Sequence, residues 1–174
     1  MRFSLLLAGL MVGSAVLSAG AEAQGKPKLL GSYRDWDAMV GTMPDGSKTC
    51  YMISTPKRST ANKKNVNRGQ IYMTVTHRPK FGVKGEVNAV VGYPIRSGSE
   101  AKISVDGRHN FSFFTEGSGA WAYDPKDDAA AVSAMKAGSN LVVKASSSRG
   151  TDTTDTYSLS GFTAAYNAIS KACY

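Results

Sequence analysis

The chain has 174 residues, with 21 Lys and Arg against 13 Asp and Glu, for a formal net charge of +8. That balance favours anionic partners, and the length suits one domain with one core rather than a multidomain assembly. Beyond the first 23 residues no segment is apolar for the roughly 20 residues that a membrane-spanning helix needs, which excludes a helical membrane domain.

In chain order, Arg2 precedes an apolar run from Phe3 to Leu17, and Ala21-Glu22-Ala23 places small residues at the −3 and −1 positions of a cleavage site. This reads as a secretory signal peptide over residues 1–23. No Cys follows it, so no lipoprotein site is expected. Removing 23 of the 174 residues leaves 151, and losing Arg2 with Glu22 keeps the charge at +8. The mature protein is therefore expected in the periplasm, on the outer membrane or outside the cell. Residues 24–31 are expected to be a flexible lead-in, and residues 32–174 one domain.

Short β-type runs follow, punctuated by Gly, Pro, Asn and Asp. Trp36–Val40 and Thr49–Thr55 flank the turn signal Pro44-Asp45-Gly46. Over Gln70–His77, Ile71, Met73 and Val75 alternate with Tyr72, Thr74 and Thr76, the period of a half-buried strand. Glu86–Gly92, Ala101–Val105, Phe111–Thr115 and Gly119–Tyr123 are further strand candidates, with Asp106-Gly107 as a hairpin turn. Asp124 and Pro125 then form a helix start, Ala131, Val132 and Met135 give its apolar stripe, and Gly138 ends it. Two more strands, Asn140–Ser147 and Thr153–Ser160, lead to Gly161 and a terminal helix. Phe162, Ala165, Tyr166, Ile169, Ala172 and Cys173 share one face of that helix. The pattern predicts an all-β fold: an antiparallel β-sandwich, jelly-roll-like or barrel-like, with one internal helix and a C-terminal helix.

Cys50 and Cys173 are the only cysteines. In an oxidising compartment an even pair reads as one disulfide; two buried thiols and a metal pair are the alternatives, although two Cys without clustered His make a poor zinc site. No metal-ligand spacing and no cofactor motif occurs.

Among chemistry-bearing residues, the cluster Lys57, Arg58, Lys63, Lys64 and Arg68 contains no acid and reads as a mobile loop that could grip an anionic glycan or lipopolysaccharide. It lacks interleaved aromatics, so nucleic acid is not expected. Arg149 lies in a turn close to Asp152 and Asp155, which could pair with it. His77 and His109 read as surface histidines. Ser133-Ala134-Met135-Lys136 has the Ser-x-x-Lys spacing of penicillin-binding acyltransferases. No Ser-Asp-Asn or Lys-Thr-Gly follows, and the chain is too short for that fold.

Asp35-Trp36, Lys48-Thr49-Cys50-Tyr51, Thr76-His77-Arg78-Pro79, Ala120-Trp121-Ala122 and Gly161-Phe162-x-x-Ala165, in this order behind a signal peptide, resemble the invasion-associated locus B family of alphaproteobacterial cell envelopes. The resemblance implies an exported β-sandwich without established catalytic residues, in a family named for a member linked to host-cell invasion. A second cysteine pair common in the family is missing: Met39-Val40 and Ala120 stand at its positions. The expected function is non-enzymatic binding in host interaction, invasion or envelope maintenance, with a small periplasmic hydrolase using Ser133/Lys136 or a His as the alternative. Asp35 is expected to take a local hydrogen bond and Trp36 to fill the core.

Overall fold

A computed structural model describes residues 26–174; the expected signal peptide and its cleavage site lie outside the described residues. Alternation of buried and exposed side chains drives most of the chain into strands: β1 (Lys28–Tyr33), β2 (Trp36–Thr42), β3 (Lys48–Ser54), β4 (Arg58–Ala61), β5 (Tyr72–Arg78), β6 (Val83–Val90), β7 (Ala101–Val105), β8 (His109–Glu116), β9 (Gly119–Trp121), β10 (Asn140–Ser146) and β11 (Asp152–Ser158). They form one antiparallel sheet in the order β1-β2-β3-β5-β6-β9-β8-β7-β10-β11-β4.

The sheet folds over on itself at β8. Its first part, His109–Phe113, pairs with β7, and its last part, Phe114–Glu116, pairs with β9. Strands far apart in the order are thereby brought together. The indole Nε1 of Trp36 on β2 donates to the Ser158 carbonyl at the end of β11 over 3.0 Å. Between the two halves lies an apolar core that includes Met52, Val75, Ile103, Phe113, Leu141 and Tyr157. The sandwich-like, mostly antiparallel fold with two helices is the one the sequence pattern calls for.

Helix α1 (Pro125–Ala137) starts where the Asp124 carboxylate accepts the backbone N–H groups of Lys126 and Asp127, at 2.7 and 3.0 Å. These are donors that the first helical turn would otherwise leave unpaired. Helix α2 (Phe162–Cys173) buries Phe162, Ala165 and Ile169 against β1, β2 and β3. Gly161 before it has a positive φ of +88°, and a Cβ there would fall 1.8 Å from the Tyr33 carbonyl oxygen, so only glycine lets helix and strand meet. Phe162 then meets Trp36 edge to face, with ring centroids 5.0 Å apart. At the far end of α2 a disulfide joins Cys173 to Cys50 on β3, with their Cα atoms 6.0 Å apart.

Two segments depart from the sequence expectation. Lys28–Gly31 is not a flexible lead-in but most of β1, because its backbone is laddered onto β2 even though Leu29 and Leu30 remain exposed. Arg58–Ala61 is not part of a mobile loop: it forms β4, paired with Thr153–Thr156 of β11. Both segments are held by hydrogen bonds rather than by buried side chains, and periodicity does not register that.

Candidate functional site

The five cations of the basic segment separate into different roles. Lys57 forms an ion pair with Asp35, and that ammonium is the main influence holding the Asp35 carboxyl below its ordinary value. Asp35 thus has a long-range partner in place of the expected local hydrogen bond. Arg58 lies on β4 with its side chain exposed.

The Arg68 side chain is largely withdrawn from solvent. Its guanidinium grips both oxygens of Asp155 on β11, at 2.7 and 2.6 Å, and donates twice more to the Val91 carbonyl, at 3.0 and 2.7 Å. It also lies over the Tyr93 ring, 5.2 Å from its centroid. The Asp155 side chain is 1% exposed and that of Arg68 9%. A planar guanidinium with its donors satisfied in this way is an anchor, not a surface for ligands. Asp155 is therefore spent on Arg68. Asp152 accepts from Ser146 and Asn62, so the expected pairing of Arg149 with these two acids does not occur.

Lys63, Lys64 and Arg149 make no ion pair among the described residues, and they share one cleft of about 540 Å³. Asn65 turns the loop here with a φ of +54°, a conformation asparagine tolerates better than most residues. The Lys63 ammonium donates to the Arg149 carbonyl at 3.2 Å, which holds the loop against the β10–β11 turn. Tyr93 stands in the cleft wall, its hydroxyl bonded to the Ala145 carbonyl and to Thr153. Lys63, Lys64, Arg149, Asn67, Ser148 and the Tyr93 ring are the groups offered, and no carboxylate lines the cleft. Such a surface can hold sulfate or phosphate groups by charge and hydrogen bonding without any chemistry on them.

His77 is not a surface residue. It is fully buried, since the alternation of Met73 and Val75 continues one step to it. Its Nδ1 accepts the Gly85 N–H at 2.9 Å, which leaves the proton of the neutral ring on Nε2, facing the Ser170 hydroxyl at 3.0 Å. Burial, with a smaller push from Lys84, takes its pKa down to about 4. A histidine with its proton already on Nε2 cannot take one from Ser170, so this pair lacks the arrangement of a nucleophile and its base. His109 is exposed on β8, as expected. Ser133 and Lys136 are exposed on α1, and the Lys136 ammonium sits 3.9 Å from the centroid of the Tyr166 ring rather than on Ser133. Among the described residues no group of His, Cys, Asp and Glu is placed to hold a metal ion.

Residues 36–170 match the family model described as invasion associated locus B (IalB) protein. The match spans more than three quarters of the 174 residues. None of the curated proteins and none of the solved structures matches the chain.

Proposed function

The chain belongs to the invasion associated locus B family, and from that membership we propose that it is an exported envelope protein that works by binding rather than by catalysis. Its ligand is a sulfated or phosphorylated glycan, free or as part of lipopolysaccharide, and the cleft of Lys63, Lys64 and Arg149 is where it binds. The binding serves host-cell interaction or envelope maintenance. Export rests on the signal-type N-terminus, and among the described residues no helix is long and apolar enough to cross a membrane.

The observation that carries the reading is the convergence of three exposed cations on one cleft that no acid lines. Arg68, although part of the same basic cluster, contributes only by holding the loop in place.

Retention on immobilised heparin tests it. Changing Lys63 and Lys64 to Glu should lower the salt needed for elution more than the same change at Lys126 and Lys144, which are exposed elsewhere. Equal losses from the two pairs would mean that only net charge matters, and would overturn the site.

A further inference from the structure

A second groove, of about 480 Å³, has the opposite chemistry. It lies where β8 meets β9, beside the start of α1, and none of the basic cluster reaches it. Phe114 pairs with Trp121 across the two strands, so both rings and the Tyr123 ring project from one face. Phe114 and Trp121 stack with centroids 5.9 Å apart and planes 24° from parallel, and Tyr123 continues the row at 5.6 Å from Phe114. Phe81 closes the far side. Phe81 and Tyr123 are more than half exposed, which is unusual for such large side chains.

Gly119 sets the aim of this platform. A Cβ there would fall 2.3 Å from Cη2 of Trp121, so the outer edge of the indole occupies the space that a side chain at 119 would need. Gly119 is also the residue directly opposite Glu116, and Glu116 shares its strand face with Phe114. The indole face and the Glu116 carboxylate are thus presented side by side.

Four carboxylates line the groove against one lysine, on a chain whose net charge is +8. Glu86 is already paired with Arg78 at 2.6 Å, and Asp124 caps α1. The Glu116 side chain makes no ion pair or hydrogen bond among the described residues, and the Asp128 carboxylate accepts only the Val87 N–H, at 2.8 Å. Burial pushes the Asp128 carboxyl up to about 6, and Glu86, Asp127 and Asp124 add to the push. The single lysine, Lys84, lies over the Tyr174 ring, 5.1 Å from its centroid. Two carboxylates without a cation beside a row of open rings are complementary to a flat cation. A neutral sugar would use the rings but gain little from the charge.

We propose that this groove binds an arginine-bearing extended segment of a partner protein, the guanidinium stacking on Trp121 and donating to Glu116 and Asp128. Arginine fits better than lysine because it is planar, weakly hydrated and able to stack while it donates in its plane. The groove is separate from the glycan cleft and its occupant carries the opposite charge, so either site stands or falls without the other.

The chain carries its own reporter. Of its two tryptophans, Trp36 is 1% exposed and Trp121 is the one a ligand can reach. Titrating the full mature protein with a blocked tetra-arginine peptide should quench its fluorescence saturably. A tetra-lysine peptide should bind several-fold more weakly, and a neutral tetrasaccharide should have no effect. Glu116→Gln, a conservative change at an exposed site, should weaken the arginine peptide about threefold or more. Gly119→Ala should weaken it similarly by tipping the indole without altering charge. Quenching by the tetrasaccharide instead, no saturable quenching, or equal binding by Glu116→Gln would each overturn the proposal. Unchanged melting of Glu116→Gln shows that its loss is not unfolding.

Discussion

The basic cleft and the aromatic groove both border one strand, β6. β6 begins at the groove with Val83, Lys84 and Glu86, and the chain reaches the cleft just past its end, at Gly92 and Tyr93. The two are built differently. The groove stands on laddered strands and a capped helix, so its rings are aimed by the sheet itself. The cleft is made of a loop and a turn, and loops aim their side chains only as well as they are tied down. Here the buried Arg68 guanidinium is the charged tie, with Asn62 and Lys63 adding hydrogen bonds to Asp152 and Arg149. Opposite charges have thus been placed by opposite means, and the cleft should be the more fragile of the two.

The largest expected effect is at that tie. Arg68→Ala leaves the buried Asp155 without its counter-charge, and such losses cost about 3–5 kcal/mol. Thermal or chemical unfolding should register this. Heparin retention of the folded variant should also fall, although Lys63 and Lys64 are untouched, while Trp121 quenching by the arginine peptide stays as it was. Equal damage at both sites would show that Arg68 supports the whole sheet rather than the loop.

The disulfide should rank next. It closes a loop across 123 residues of sequence and touches neither cleft. Cys50→Ser and Cys173→Ser should each lower stability by about 2–4 kcal/mol, and the double variant should add little, because both remove one bond. Below their melting temperatures these variants should keep their heparin retention and their Trp121 quenching by the arginine peptide.

A smaller effect sets two groups that both bond the backbone near the start of β6 against each other by acidity. His77 has a folded pKa of about 4, below its ordinary 6.5, so the unfolded chain takes the proton first. Its contribution is complete above about pH 6.5 and is lost as the pH falls toward 4. Asp128 is raised from 3.8 to about 6, so the folded chain takes that proton first. Its contribution is complete below about pH 3.8 and is lost as the pH rises through 6. The two slopes oppose each other over the same window. Asp128→Asn, which can keep the Val87 hydrogen bond, should steepen the loss of stability on acidification, and His77→Gln should flatten it. Denaturant midpoints between pH 4 and 7 decide this; parallel curves for both variants would refute the assignment.

Much of this architecture is legible without coordinates. The alternation at Met73 and Val75, the Asp124-Pro125 helix start and the stripe from Phe162 to Ile169 each carry their own signal, and each forms the expected element. β4 could not be read, because Arg-Ser-Thr-Ala has no apolar alternation and exists only through its pairing with β11. The role of Arg68 was hidden for a related reason. Its partner lies 87 residues away, and nothing local distinguishes it from Lys63 or Lys64. The burial of His77 has a local signal, since it continues the phase of Met73 and Val75, while Arg78-Pro79 after it marks a strand end. The groove has none, because Phe81, Phe114 and Trp121 come from three separate segments that only the fold gathers.

The order of the sheet has one more consequence. β1 and β4 are its two outermost strands, and an outermost strand offers unpaired amides that can recruit a foreign chain into a fibril. β1 is the more hazardous, since Leu29 and Leu30 stand open on it. Yet Pro27, which has no amide hydrogen to offer, sits between Lys26 and Lys28 at its start, and an irregularity between Leu29 and Gly31 breaks its flatness. β4 opens with Arg58, directly after Lys57. Basic residues thus stand at both rims of the sheet, where like charges disfavour edge-to-edge pairing with a second copy.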